Sequence, residues 1–164
     1  MTQSGGTWTE NILYNFNANL PDAQVPNNVA IDASGNLYGS AYQGGTDNDG
    51  AVFELNPSNI VPWPETVIYS FTNSTDGGTP FGNAVDDGKG NVFAASAFGG
   101  SGNYGTLIEL TPSSSGWSEK TLLSFNGTDG KTPQNLTLDS AGNVYGSTLY
   151  GGSHNSGVLF EVTP

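Results

Sequence analysis

The sequence predicts an all-β protein built from short antiparallel sheets, and three observations carry that prediction. A unit of about 54 residues occurs three times, each copy opens with apolar residues at alternate positions, and 24 Gly and 9 Pro divide the 164 residues into short runs. Trp8, Trp63 and Trp117 are 55 and 54 residues apart, and the pairs Gly35-Asn36, Gly90-Asn91 and Gly142-Asn143 are 55 and 52 apart. No stretch shows helical periodicity of useful length.

Each copy begins Trp-x-Glu. Trp8, Glu10, Ile12, Tyr14 and Phe16 alternate with their neighbours, as do Trp63, Glu65, Val67, Tyr69 and Phe71, and Trp117, Glu119, Thr121, Leu123 and Phe125. A period of two places each set on one face of a strand. A proline follows (Pro26, Pro80, Pro133), then a short apolar run, Asp, the Gly-Asn pair and a Gly-Gly loop. An apolar strand carrying Glu closes the copy at Asn-Pro or Thr-Pro. Runs such as 29–32, 36–41 and 51–55, separated by turn residues, complete four strands per copy. Asp-x-x-Gly-Asn at 32–36 and 139–143 fits a tight hairpin in which Asp bonds its own turn and Gly takes a positive φ. The first copy lacks the Asp-Gly found at Asp76-Gly77 and Asp129-Gly130, and the second has one extra residue after its proline.

Four-stranded antiparallel units at this period are the pattern of β-propeller blades. The strand after the proline is expected at the central channel, with the Trp-x-Glu strand outermost in the preceding blade. The repeats run over about 8–57, 63–112 and 117–164 of a single three-repeat segment. The blades then take residues 28–71, about 82–125 and 135–162, the last short of one strand. Residues 8–16 are an orphan outer strand, and three twisted sheets are too few to close around a channel. The expected remedy is head-to-tail assembly, with Trp8, Glu10, Ile12, Tyr14 and Phe16 of one chain added to Val158, Phe160 and Val162 of the next. The favoured homodimer has six blades and the runner-up homotrimer nine. Pro164 falls where Pro57 and Pro112 fall, as if the chain were cut at a repeat boundary.

Trp-x-Glu, Tyr-Ser-Phe at 69–71, Asp-Gly-x-x-Pro at 76–80 and 129–133, Gly-Asn-Val-Tyr-Gly-Ser at 142–147, Gly-Gly, and Phe-Glu-Leu-x-Pro at 53–57 together resemble the GloVer-type tandem repeat. This is the repeat of the choice-of-anchor family of bacterial surface proteins, and the likeness covers nearly the whole chain. It implies a propeller-like array that is secreted or displayed on a bacterial surface. No signal peptide or anchor is expected in the sequence, which on that reading looks like an excised or engineered segment.

Composition excludes several function classes. The formal net charge is −12, with no Arg and only Lys89, Lys120 and Lys131, so the cationic surface that phosphates require is missing and neither nucleic acid nor an anionic membrane is an expected partner. The absence of Cys removes thiol catalysis and thiolate metal sites. No cofactor and no metal are expected. Glu10, Glu65, Glu119 and Glu54, Glu109, Glu161 lie on neighbouring strands and invite a cation site or an acid–base pair, but threefold recurrence argues for strand-rim charges instead. Asp47-Asn48-Asp49-Gly50 begins like a calcium loop, yet position 58 is Ser where the pattern needs Glu. His154 is the only His and lies on a loop with no nucleophile elbow in the sequence. The loops offer the better binding candidates: Tyr42, Asp76, Phe98, Asp129 and Tyr150 are expected on one face, as aromatic platforms beside carboxylates suited to sugars. The reading is a non-enzymatic, self-assembling scaffold, with a multivalent carbohydrate-binding lectin as the alternative and an enzyme last.

Overall fold

Turn chemistry sets the architecture, because each Asp-x-x-Gly-Asn segment folds one strand back on the last. A computed structural model describes residues 2–4 and 6–163, and Pro164, aligned above with Pro57 and Pro112, lies outside the described residues. Asp32 Oδ1 accepts the Ser34 and Asn36 N–H groups at 2.8 Å each while Oδ2 accepts Asn36 Nδ2 at 2.8 Å. Asp87 and Asp139 repeat this cage around Asn91 and Asn143, and Gly35, Gly90 and Gly142 sit at φ +89°, +97° and +93°. The left-handed residue is what lets so tight a turn close.

Every element among the described residues is a strand. A small hairpin, β1 (Thr2–Ser4) with β2 (Thr7–Thr9), comes first. The first blade is β3 (Ala23–Ile31), β4 (Leu37–Gly44), β5 (Ala51–Leu55) and β6 (Glu65–Ser70), antiparallel in chain order. The second is β7 (Val85–Asp86), β8 (Val92–Ser96), β9 (Thr106–Ser113) and β10 (Gly116–Ser124). The third has only β11 (Lys131–Leu138), β12 (Val144–Tyr150) and β13 (Leu159–Val162). Up-and-down sheets stacked face to face in a row make this an all-β, propeller-type architecture.

Apolar side chains fill both junctions. Tyr38, Val52, Ile68 and Phe71 of the first blade meet Ala84, Val92, Ala94, Ile108 and Leu110 of the second. Val85, Phe93, Ala95 and Leu107 then meet Leu136 and Val144, backed by Phe160 and Val162 of the third. Each large side chain buried there contributes about 1.5–3 kcal/mol. On the far face of the first blade, Tyr14 and Phe16 cover Ala23, Ala41, Ala51, Phe53 and Leu55. Phe16 stacks edge-on against Phe53 with ring centroids 4.9 Å apart, as Phe125 does against Phe160 at 5.1 Å.

Within the single chain Thr7–Thr9 is a strand and residues 10–17 lie in none, no sheet edge among the described residues pairing with them. One expectation is corrected: the Trp-x-Glu sets do not keep to one face. A bulge in β6 inserts Ile68, so Val67 pairs with Phe53 but Tyr69 with Val52, and β10 is bulged likewise between Thr121 and Leu123. One added residue reverses the parity of everything after it. Trp63 and Val67 therefore face Phe53 while Phe71 faces the second blade, and Trp117 faces the first junction while Leu123 faces the second.

Candidate functional site

At the loop end of the row, the residue before each repeat proline is left-handed: Val25, Thr79 and Thr132 have φ of 55°, 54° and 55°. For β-branched residues this conformation costs about 1–3 kcal/mol and persists only where surrounding contacts hold it. At Thr79 and Thr132 such contacts come from the neighbouring blade. Thr79 N–H donates to the Asp49 carbonyl at 2.6 Å, and Thr132 N–H to the Tyr104 carbonyl at 2.9 Å. Each accepting loop is braced by a left-handed Asn, whose Oδ1 takes the N–H of Gly44, Gly99 or Gly151 (Asn48, Asn103, Asn155). Asp47-Asn48-Asp49-Gly50 is thus one of three equivalent glycine-rich loops.

These loops hold the exposed aromatics. Phe81, Phe98, Asn103, Tyr104, Lys131, Thr132, Leu149 and Tyr150 line a shallow groove of about 360 Å³ between the second and third blades. Lys131 Nζ lies 5.3 Å above the centre of the Tyr150 ring. Tyr42 packs on Phe81 at 5.0 Å, and Phe81 lies 6.4 Å from Phe98, so a row of rings leads from the first junction into the groove. Of the five expected ligand-binding residues, Phe98 and Tyr150 meet in this groove and Tyr42 stands at the head of the row.

The two carboxylates do not join them. Asp76 is 7% exposed, and its oxygens accept the Tyr69 hydroxyl (2.9 Å), Thr72 N–H (2.9 Å), Thr72 Oγ1 (2.6 Å) and Ser74 N–H (3.3 Å). Burial pushes this carboxyl up, but those donors outweigh it and hold it below its ordinary value. Asp129 is spent on Asn126 N–H and Nδ2 at 2.9 and 2.8 Å. Both carboxylates tie down their own loops. Phe81 and Tyr104, which the sequence reading missed, take their place; the signal was an aromatic after Pro80 where Asn27 and Gln134 follow the other repeat prolines.

Carboxylate pairing between neighbouring strands also fails, for a reason of register. Glu65 pairs with Leu55 rather than Glu54, and Glu109 pairs with Lys120, so the two Glu sets point to opposite faces. Glu54 accepts the Tyr38 hydroxyl at 3.1 Å and Glu161 the Tyr145 hydroxyl at 2.8 Å. Glu65 is no rim charge: burial first, and then the negative charge of Asp22, push its carboxyl up to about 7. Asp22, which accepts the Tyr14 hydroxyl at 3.3 Å, is the first-copy counterpart of Asp76, concealed in the sequence because Ala23 replaces the following Gly.

A second surface lies at the third blade. β13 pairs with β12 on one side only, and Leu159 is 88% exposed. Beside it a cleft of about 480 Å³ is lined by Phe93, Glu109, Lys120, Thr121, Leu122, Gly142, Val144, Val162 and Thr163. Of the expected interface residues, Phe160 and Val162 back the second junction, Val158 precedes β13, Tyr14 and Phe16 cover the first blade, and Trp8, Glu10 and Ile12 are exposed.

The architecture is shared with XC5397 of Xanthomonas campestris, described as a gluconolactonase important in glucose secondary metabolic pathways. The two chains are 13% identical with a TM-score of 0.59, over 99% of this chain and 54% of that one. This chain thus spans about half the length of that propeller-like neighbour, and at such identity the likeness is one of fold. No curated protein matches the sequence. The family model for the Gloeobacter/Verrucomicrobia repeat matches residues 1–160, and so the chain, with its recurring Asp turns, glycine loops and four-stranded sheets, belongs to that repeat family.

Proposed function

We propose that this protein is a non-enzymatic propeller scaffold that assembles with copies of itself into a closed ring, as an interaction and display module of a bacterial surface protein. The cleft beside β13 carries the reading. Leu37, Leu55 and Trp63 share one apolar cluster in the first blade, and Val92, Leu110 and Trp117 another in the second. Val144 and Val162 are the counterparts in the third blade, and they line an open cleft. Trp8 is the counterpart of the two tryptophans, and it is 63% exposed.

The pairing of β6 and β10 supplies the register for strand donation. Glu65 and Glu119 sit opposite Leu55 and Leu110, Val67 and Thr121 opposite Phe53 and Ile108, and Tyr69 and Leu123 opposite Val52 and Leu107. By equivalence Glu10 sits opposite Val162, Ile12 opposite Phe160 and Tyr14 opposite Leu159 of a second copy, with Leu13 as the bulged residue. Phe71 and Phe125 N–H donate to the Gly50 and Gly105 carbonyls at 3.0 Å each, which assigns Phe16 N–H to the Gly157 carbonyl. Donation breaks the bond of the single chain from Trp63 N–H to the Leu13 carbonyl at 2.8 Å.

Light scattering after size exclusion tests this. A mass of two or three times 17.0 kDa is expected, the two-chain ring first. Trp8→Ser with Ile12→Lys, both exposed in the single chain, leaves a folded monomer; an unchanged oligomeric mass refutes strand donation. The aromatic groove favours a second reading, a sugar-binding lectin that presents rings to the apolar face of a glycan. Glycan binding lost in Phe98→Ala and Tyr150→Ala supports it, and an array without any binding removes it.

A further inference from the structure

Strand donation accounts for the outer edge of a ring but leaves its loop end and channel side unjoined. The internal junctions show how both are joined. At the loop end, Thr79 N–H reaches the Asp49 carbonyl across the first junction and Thr132 N–H the Tyr104 carbonyl across the second. The proline that follows each of these threonines lies against the glycine that follows the acceptor. A Cβ on Gly50 would stand 2.4 Å from Pro80 Cδ, and one on Gly105 would stand 2.6 Å from Pro133 Cδ. At the channel side of the second junction, Asn83 clasps the Leu136 backbone of the next blade, with Oδ1 accepting its N–H at 2.7 Å and Nδ2 donating to its carbonyl at 3.1 Å, whereas the first junction is bridged by Asn27 Nδ2 donating to the Pro80 carbonyl at 2.6 Å.

The free ends of the row display the separated halves of this device. Val25 has the same strained φ of 55° before Pro26, yet it is 55% exposed. Ser156 and Gly157, the counterparts of Asp49-Gly50 and Tyr104-Gly105, are held in the braced loop of Asn155, and the atoms nearest to a Cβ on Gly157 would be backbone atoms of Thr148 and Leu149 instead of a proline ring. Asn135, the counterpart of Asn83, is exposed, and Val29, the counterpart of Leu136, is 50% exposed.

We infer that a second copy of this chain docks by a loop-and-channel clasp, separate from the donated strand: Val25 N–H to the Ser156 carbonyl, Pro26 on Gly157, and Asn135 around the Val29 backbone. This rests on the self-assembly reading and extends it to contacts that strand donation does not make. Val25 already holds, in the single chain, the conformation in which Thr79 and Thr132 meet a carbonyl of the neighbouring loop, so its N–H is presented for the same acceptor. The partner is thus specified as the same repeat, with a left-handed Asn loop at the complementary position.

The chain contains no Cys, so two introduced thiols report the contact alone. Residues joined by an N–H···O bond lie within the Cα separation a disulfide spans, about 4.4–6.8 Å. Val25→Cys with Ser156→Cys is expected to oxidise into a covalently closed two-chain or three-chain species on a non-reducing gel, and Asp49→Cys with Thr79→Cys into a one-chain loop. A readout independent of thiol geometry is Asn135→Asp, which removes the Nδ2 donor from an exposed side chain. The ring's dissociation constant is expected to rise about tenfold or more, with the melting of the isolated chain unchanged. Failure of Val25→Cys/Ser156→Cys to link, in a protein that is oligomeric by light scattering and forms the internal disulfide, overturns the clasp while strand donation stands. An unchanged dissociation constant in Asn135→Asp overturns its channel half. A monomer at all concentrations overturns both readings.

Discussion

Replacing Asp76 decides whether the Asp-Gly-x-x-Pro loop is a ligand site or a structural tie. Its carboxylate is 7% exposed and accepts four hydrogen bonds, including the hydroxyl of Tyr69, whose proton burial and Asp76 hold in place. Bonds to a charged acceptor contribute roughly 1.5–3 kcal/mol each when broken singly, and a shared acceptor makes them non-additive. Asp76→Ala leaves Thr72 N–H and the Tyr69 hydroxyl without their acceptor, so a loss of about 3 kcal/mol is expected. Unfolding entropy of about 2.1 cal/mol/K per residue converts that to roughly 9 °C in Tm. Because the folded carboxyl lies below its ordinary value, this stability is present above the unfolded pKa of about 3.9 and is lost as pH falls through the folded one. Asp76→Asn should therefore flatten the acid limb of the stability curve. Urea denaturation at pH 7 and at pH 3 measures both effects. A loss below about 1 kcal/mol in Asp76→Ala, with Asp129→Asn costing as much, would mean that the loop does not need this carboxylate, and the structural assignment would be wrong.

Glu65 titrates in the opposite sense. Its folded pKa of about 7 lies above the ordinary 4.5, so its contribution is fully present below pH 4.5 and is lost as pH rises through 7. Thermal melts between pH 5 and 8 should show Glu65→Gln losing less stability than the parent as pH rises, and parallel curves would contradict the burial of this carboxyl. Phe125 is fully buried against Phe160, and Phe125→Ala should cost about 3–5 kcal/mol in chemical denaturation. Phe16→Ala, at a half-buried ring on Phe53, should cost about half as much; a loss under 0.5 kcal/mol would show that residues 14–16 do not cover the first blade.

Much of the fold was legible because turn chemistry and sheet order are local. Asp32, Gly35 and Asn36 write a hairpin into five residues, and the strand order of the blades follows from such hairpins. What alternation alone misread was the face of each fourth strand. Ile68 and Leu122 look like any other apolar residue, and only the pairing across Phe53 and Ile108 reveals them as inserted. Asp22 was hidden by a neighbour, since Ala23 breaks the Asp-Gly signature while the four-residue spacing to Pro26 is kept. The carboxylates of the expected sugar site were misjudged because sequence spacing does not say which donors consume an oxygen, whereas Phe98 and Tyr150 needed only to be aromatic and on the loops. The left-handed Val25, Thr79 and Thr132 had no residue-type signal, β-branched residues before proline being poor candidates for that conformation.

The bulge in each fourth strand also bears on how the molecule comes apart. Since β6 turns Trp63 toward one side of its sheet and Ile68 and Phe71 toward the other, the strand that completes one blade also anchors the next. Cooperative units of unfolding then cannot coincide with the visible sheets. Loosening the first blade strips Phe71 from the second, so the free energies of local opening are coupled from sheet to sheet, as in a one-dimensional chain of nearest neighbours. In the single chain the second blade, gripped on both faces, is the last to open, and the outward faces of the first and third are where fraying begins.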